Sequence, residues 1–359
     1  ISLSKMGCSG SKATEAEKGT PPAAELAKSG TVVMSEQVAK DAIDTALVTL
    51  TPSGSTQSAF VFAKPHANKP AVLELILKKF AEVGIEVVSE GEIDGPTIDT
   101  KQYIDQHYYA IASKATLMAP ADLPVPVEKF KEKFGEEWQT VLAEGRAFNA
   151  IEACKQLDVD ANALKEIWEG SKEKDKLIKL GGGFYCALLE VEGKPPIYTF
   201  NAFFMSMRTK FTAADAVIHY YVVKFDPAKL SWADFRGKVL GPTDPAKAPS
   251  TALRGMLMEQ WESLGLAAPP NTSDNGVHAS ASPFEGLAEK MNWLQTPLES
   301  DEFGKALLAA GISEAMIKAW AVDPQVNLPG GGKGSLFDSL EDLDIDSCTA
   351  KAVAIAGVN

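Results

Sequence analysis

The chain has 359 residues, 45% of them apolar, and a formal charge of -13. That length and apolar content support a full hydrophobic core, in one elaborated domain or two ordinary ones. The acidic balance excludes broad attraction to a nucleic-acid backbone, which needs a basic surface, so any phosphate group bound here is held by a few placed cations.

The sequence opens "ISLSKMGCSGSK". If Met6 is the start, Gly7 becomes terminal and Ser11 completes the pattern M-G-x-x-x-[ST] for N-myristoylation, with Cys8 a candidate for palmitoylation. One acyl chain holds weakly and two hold stably, so the pair predicts a membrane tether; a chance match in a polar tail is the alternative. Residues 1–56 are rich in Ser, Ala, Lys, Glu, Thr and Pro and read as a flexible tether. Cys8, Cys154, Cys186 and Cys348 are widely spaced without a CxxC pair. With no secretory signal visible, this usage predicts a reducing intracellular, cytoplasmic setting, where the "NTS" at Asn271 means little. No stretch approaches the ~18–20 apolar residues of a membrane span.

"SAFVFAK" (58–64) predicts a first strand. "KPAVLELILKKFAEVG" follows with Val72, Leu75, Ile76, Lys79, Phe80 and Val83 at helical spacing, Pro70 in the first turn and Gly84 at the stop. "IEVVSEGEI" predicts a second strand and "TKQYIDQHYYAIA" one helix. From 114 to 195 the pattern is mainly helical. Val127, Phe130, Phe134, Trp138 and Val141 share a face, two further helices follow with Asp160 as an N-cap, and "GGGFYCALLEVEG" forms a strand pair. "AVIHYYVV" is strongly β-prone, "SWADFRGKVL" a short helix, and "GPTDPAKAPSTALRG" a Pro-rich loop. Residues 295–359 read as helical pieces; in "SLFDSLEDLD", Leu336, Phe337, Leu340 and Leu343 form an apolar face that predicts docking on its own domain or on a partner helix. The Gly runs at 181–183 and 330–332 are turns. "GGGKGS" lacks the phosphate-loop spacing because Gly334 stands where Ser or Thr must be.

The segment "DNGVHASASPFEGLAEKMNW" (274–293) is the candidate for chemistry. His278 sits among small residues, where a ring is either structural or open to a close approach. Neutral imidazole is a nucleophile near neutral pH and carries a phosphoryl group as phosphohistidine. Glu289, on the following helix, is placed to fix the other ring nitrogen, and Ser280 to bond that carboxylate or the leaving oxygen. Lys64 and Arg254 are candidate phosphate cations, and Thr243 adds a hydroxyl. His107 reads as partly exposed on its helix, His219 as a strand residue with a satisfied ring, and neither has metal-site spacing. The stripe Phe130, Phe134, Trp138 reads as core packing between helices.

"FVFAKP", "LGPTDPAKAPSTALRG" and "NGVHASASPFEGLAEKMNW" occur in the order of the nucleoside diphosphate kinase signature, and the chain resembles that family over roughly 57–113 and 196–294. The resemblance implies a ferredoxin-like α/β (α+β) sandwich with an antiparallel four-stranded sheet, interrupted by the insertion 114–195 and followed by the C-terminal extension 295–359. It implies His278 as the phosphorylated residue, with Ser280 and Glu289 beside it. Lys64, Tyr108, Thr243, Arg254 and Asn275 match positions that bind phosphates or ribose or position the histidine, and Phe200 matches the aromatic that stacks on the base. The implied reaction is ping-pong γ-phosphoryl transfer from a nucleoside triphosphate to a nucleoside diphosphate, with Mg2+ carried by the nucleotide phosphates and no protein-bound metal. A homo-oligomer or a larger assembly follows as an expectation. Two departures stand out. His66 and Ala67 replace the family's Asp and Gly, and Gly237 stands where a second phosphate-binding arginine is expected, with Arg236 or Lys238 as substitutes. Three readings result: an active kinase tethered to a membrane; a structural or regulatory module of a cytoskeletal or ciliary assembly; and a nucleotide sensor.

Overall fold

The structure, a computed structural model, describes residues 56–358. The tether, Met6, Gly7 and Cys8 lie outside the described residues. Strand β1 (Gln57–Ala63) is buried on both faces, as its near-continuous apolar run requires. Ala59, Val61 and Ala63 face one core, shared with Val72, Ile76 and Phe80 of the helix Pro70–Glu82. Phe60 and Phe62 face a second core with Ile98, Ile104, Phe211 and Trp293. Strand β2 (Glu86–Asp94) follows as an exposed, acidic edge strand.

The single helix predicted over "TKQYIDQHYYAIA" is two short ones, Tyr103–His107 and Tyr109–Ala112, broken at Tyr108 and followed by a wide turn over Ser113–Leu117. The bend lets Thr116 reach back to the fully buried Asp105, donating its hydroxyl over 2.6 Å. Arg208 donates to both oxygens of the same carboxylate, at 2.9 and 3.0 Å, and pairs with Asp99 at 2.6 Å. A straight helix does not bring Thr116 to that carboxylate.

The insertion contains the helices Val127–Phe134, Trp138–Ala143, Ala150–Leu157 and Ala161–Glu173, the last capped by Asp160. It also builds a sheet from β3 (Ala147–Phe148), β4 (Leu177–Gly181), β5 (Phe184–Leu189) and β6 (Ile197–Phe200), in the order β3-β6-β5-β4. This sheet takes in residues up to Phe200, beyond the boundary expected at 195. Phe130, Phe134 and Trp138 pack as core: Phe130 lies 4.9 Å from Tyr198 and 5.2 Å from Trp138, between ring centroids.

After the helix Phe203–Thr212 come β7 (Val217–Phe225), the helix Leu253–Gln260, β8 (Val277–Ala279) and the helix Pro283–Trp293. The main sheet has the order β2-β7-β1-β8, with every neighbouring pair antiparallel. The architecture is therefore mixed α/β with an antiparallel main sheet; the insertion's sheet is antiparallel except for the parallel pair β3 and β6. His219 lies on β7, its ring nitrogens 3.5 and 3.6 Å from Glu90 and Glu92.

The C-terminal extension adds the helices Glu302–Ala309, Glu314–Trp320, Leu336–Leu340 and Ile345–Ala356, and an unexpected hairpin, β9 (Gln325–Asn327) with β10 (Lys333–Ser335). Gly330, Gly331 and Gly332 all have positive φ between its strands, so this run makes the turn. Leu336 and Leu340 pack with Phe284 and Leu287 of the helix Pro283–Trp293, so the extension docks on its own chain. Among the described residues no helix is long and apolar enough to cross a membrane.

Candidate active site

The site is built where β1, β8 and the helix Pro283–Trp293 meet. Phe62 and His278 are register partners across β1 and β8, so their rings share a face; they stack at 4.7 Å with planes 30° apart. Ser282 caps the helix, accepting from the Glu285 N–H, and Pro283 fills the first turn. Glu285, Glu289 and Trp293 then recur every fourth residue on one face. Gly286 lets that helix approach β1: a Cβ there would lie 2.8 Å from the Ser58 carbonyl oxygen.

Glu289 is the hub. Its Oε1 lies 2.5 Å from His278 Nε2, and its Oε2 accepts from the Ser280 hydroxyl at 2.6 Å. Ser280 Oγ also accepts from the Phe60 N–H at 2.9 Å, which ties the trio to β1. The other ring nitrogen, His278 Nδ1, is buried and has no hydrogen-bond partner among the described residues. Burial pushes the His278 pKa well below the ordinary histidine range, so the ring is neutral, and it pushes Glu289 up to about 8 against the opposing Ser280 bond. In the tautomer that carries its proton on Nε2 and donates it to the Glu289 carboxylate, the neutral imidazole presents a lone pair at Nδ1.

Two cations accompany the ring, Lys64 buried and Arg254 half-buried. Lys64 follows β1 directly; its Nζ donates to the Ser273 carbonyl at 3.0 Å. Burial, and then Arg254, lower its pKa to about 7. Arg254 donates to the Gly241 and Val277 carbonyls at 2.7 and 2.9 Å, and burial, then Arg236, lower it to about 10. Neither forms an ion pair with a carboxylate among the described residues. Asn275 donates to the Thr243 carbonyl at 3.1 Å, tying the Pro-rich loop to the strand, while its own Oδ1 is buried without a partner. Thr243 itself is exposed on that loop.

No family model matches the chain, and no curated protein matches it by sequence. Among solved structures it is similar to an apo nucleoside diphosphate kinase from Encephalitozoon cuniculi, at 13% identity and TM-score 0.33, over 67% of this chain and 90% of that one. The nucleoside diphosphate kinase of Aquifex aeolicus gives 12% identity and TM-score 0.33, over 67% and 95%. An NDP kinase from Pyrobaculum aerophilum gives 16% identity and TM-score 0.32, over 67% and 96%. Likenesses this distant assign no function to the chain.

Of the residues expected from sequence, the structure brings His278, Ser280 and Glu289 into direct contact. Tyr108 adjoins them through His107, their rings 4.6 Å apart. Two expectations are corrected. Phe200 is fully buried in the insertion's core between Trp138 and Phe184, and it offers no face to a base. Arg236 is engaged by Glu341 and Asp342 of the C-terminal extension, at 2.7 and 2.8 Å, so its guanidinium is already occupied.

His107 is partly exposed as a residue, as expected, but its ring belongs to the site, which the sequence did not show. Its side chain is only 4% exposed. It meets the His278 ring edge-on at 4.6 Å, accepts from Trp293 Nε1 at 3.3 Å through Nδ1, and holds that nitrogen 3.4 Å from Glu289 Oε1. The Phe62 and His107 rings contact His278, Trp293 packs on both of those rings, and the His278 side chain has no exposure. The site as folded is closed.

Proposed function

We propose that the chain is a nucleoside diphosphate kinase built on a ferredoxin-like sandwich, transferring a γ-phosphoryl group through His278. The observation that carries the reading is the state of that ring: fixed at Nε2 by Glu289 and unpartnered at a buried Nδ1. The strand order β2-β7-β1-β8, all antiparallel, supports the sandwich.

In the first half-reaction, the Nδ1 lone pair forms a bond to the γ-phosphorus of a triphosphate while the bond to the β–γ bridging oxygen breaks, and the diphosphate leaves. The Nε2 proton stays on the ring, where the Glu289 carboxylate stabilises the cationic phosphoimidazole. Lys64 and Arg254, desolvated and without carboxylate partners, gain phosphate counter-charges at this step, and Mg2+ enters with the nucleotide. In the second half, a terminal oxygen of another nucleoside diphosphate attacks the phosphorus and the P–N bond breaks. Recognition in this reading rests on the phosphates and ribose, through Lys64, Arg254, Thr243, Asn275 and Tyr108, without Phe200. Acylation at Gly7 and Cys8 would tether the enzyme to a membrane; an unchanged soluble fraction for Gly7→Ala would end that part.

One observation favours a second reading, a nucleotide-sensing or structural module: the His278 side chain is fully enclosed and Arg236 is occupied by the extension. Incubation with γ-labelled ATP and magnesium separates the two. The enzyme gives acid-labile label on the wild type and none on His278→Ala. Nucleotide binding without label supports the sensor, and neither supports the structural module.

A further inference from the structure

We propose that His107, His278 and Glu289 form a binding site for a divalent metal ion of the zinc class, and that the metal switches the phosphotransfer site off. Each residue offers one ligand atom, and the three atoms lie within 4.8 Å of one another. Glu289 Oε1 sits between His278 Nε2, at 2.5 Å, and His107 Nδ1, at 3.4 Å. Two imidazole nitrogens and one carboxylate oxygen are a ligand set suited to zinc and its first-row neighbours rather than to magnesium. Ligands about 2.0–2.2 Å from a tetrahedral zinc stand roughly 3.3 Å apart. The His107–Glu289 separation already has that value, the His278–Glu289 contact has to lengthen by less than about 1 Å, and the two histidine nitrogens, within 4.8 Å of each other, have to close by up to about 1.5 Å.

A second observation points to a ligand at this spot. His107 Nδ1 accepts the Trp293 indole proton, so it has none to give to the carboxylate it faces. The His107 Nδ1 and Glu289 Oε1 atoms thus face each other across 3.4 Å, with 4% and 5% of their side chains exposed. A cation between them would be held by both. The histidine on the sheet, His219, makes no comparable site, because Glu90 and Glu92 approach opposite nitrogens of its ring and one ion does not reach both.

Metal binding in itself does not depend on the phosphotransfer reading; its consequence does. Coordination through Nε2 moves the ring proton of His278 to Nδ1, and ligation by Glu289 releases the proton that its raised pKa holds at neutral pH. The Nδ1 lone pair is then used, and Glu289 is drawn from the ring to the metal. The ion and the nucleophile therefore exclude one another.

The test is titration of the full chain with zinc alone, and with cobalt(II) as a spectroscopic substitute. One ion per chain is expected, with affinity falling at least about tenfold in His107→Gln and in Glu289→Gln. Trp293→Phe, which deletes the competing donor, keeps or tightens binding, and His219→Ala leaves it unchanged. Circular dichroism establishes that each variant is folded. Zinc also suppresses acid-labile labelling by γ-labelled ATP, at concentrations that follow the titrated affinity from wild type to His107→Gln. No zinc binding by the wild type, or equal affinity in the folded His107→Gln and Glu289→Gln chains, overturns the site. Zinc bound with labelling undiminished overturns the switch. Absence of label in metal-free protein defeats the kinase reading and leaves the metal site to the titration.

Discussion

Glu289→Gln keeps the shape of the hub and removes its ionisation. In the wild type, burial raises the carboxyl from its ordinary 4.5 to about 8. Between those two values the folded state binds the proton more tightly than the unfolded state, so wild-type stability falls as pH rises across this window. The loss approaches a factor of ten in the folding constant per pH unit and totals on the order of 5 kcal/mol by pH 8. The glutamine chain lacks the Glu289 part of this slope and keeps that of Glu285, whose pKa burial also raises. Its lost or rearranged bonds to Ser280 and His278 add an offset that is largely constant with pH, about 1–3 kcal/mol. Burial of His278 and Lys64 is common to both chains. Urea unfolding of both chains at a series of pH values from 4.5 to 8.5 gives the difference directly: the variant gains on the wild type steadily as pH rises. A difference that stays flat over this range would falsify the claim that Glu289 is a desolvated carboxylate, and with it the enclosed site around His278.

Lys64 has its pKa lowered to about 7 in the nucleotide-free chain, and phosphates favour its charged form. Triphosphate affinity is therefore highest below pH 7 and falls by up to about tenfold per unit above it, with protons taken up on binding; calorimetry in buffers of different ionisation enthalpy reads this, and no uptake at pH 8 counts against a phosphate role. Lys64→Met weakens binding roughly 10- to 100-fold, since a hydrogen bond to a charged group is worth about 1.5–3 kcal/mol; an unchanged dissociation constant shows that Lys64 lies off the nucleotide. Arg208→Met strands Asp105 as a buried charge and costs about 3–5 kcal/mol, measured by denaturant unfolding at pH 7. A cost under about 1 kcal/mol means the carboxylate is not buried as described.

The contact of Glu289 with His278 and Ser280 was legible because the motif is local: a strand, a capped turn and a helix fall within fifteen or so residues, and helical spacing alone aims the glutamate. Strand β1 and the helix Pro70–Glu82 were legible for the same reason. Around the site the failures are long-range. Nothing near His107 in "QHYYAIA" shows that its helix packs on Trp293, 186 positions away, so the ring's place beside His278 was not legible. Arg236 looks available until Glu341 and Asp342 arrive from more than a hundred residues downstream. Phe200 ends a short apolar run, "IYTF", that reads equally as cleft lining or as strand; cross-strand pairing with Cys186 decides for the strand and buries the ring. The break at Tyr108 is invisible to periodicity, because helical spacing continues through it while the demand of Asp105 for partners bends the chain.

The central claim is that His278 Nδ1 is the atom that carries the phosphoryl group. Incubating the purified chain with γ-labelled ATP and magnesium, then assigning the phosphorus by NMR and peptide mapping, tests it most directly. The account predicts one acid-labile phosphate on Nδ1 of His278, discharged by any nucleoside diphosphate. Phosphate on Nε2, on Ser280 or at another residue, or no phosphate at all, contradicts it.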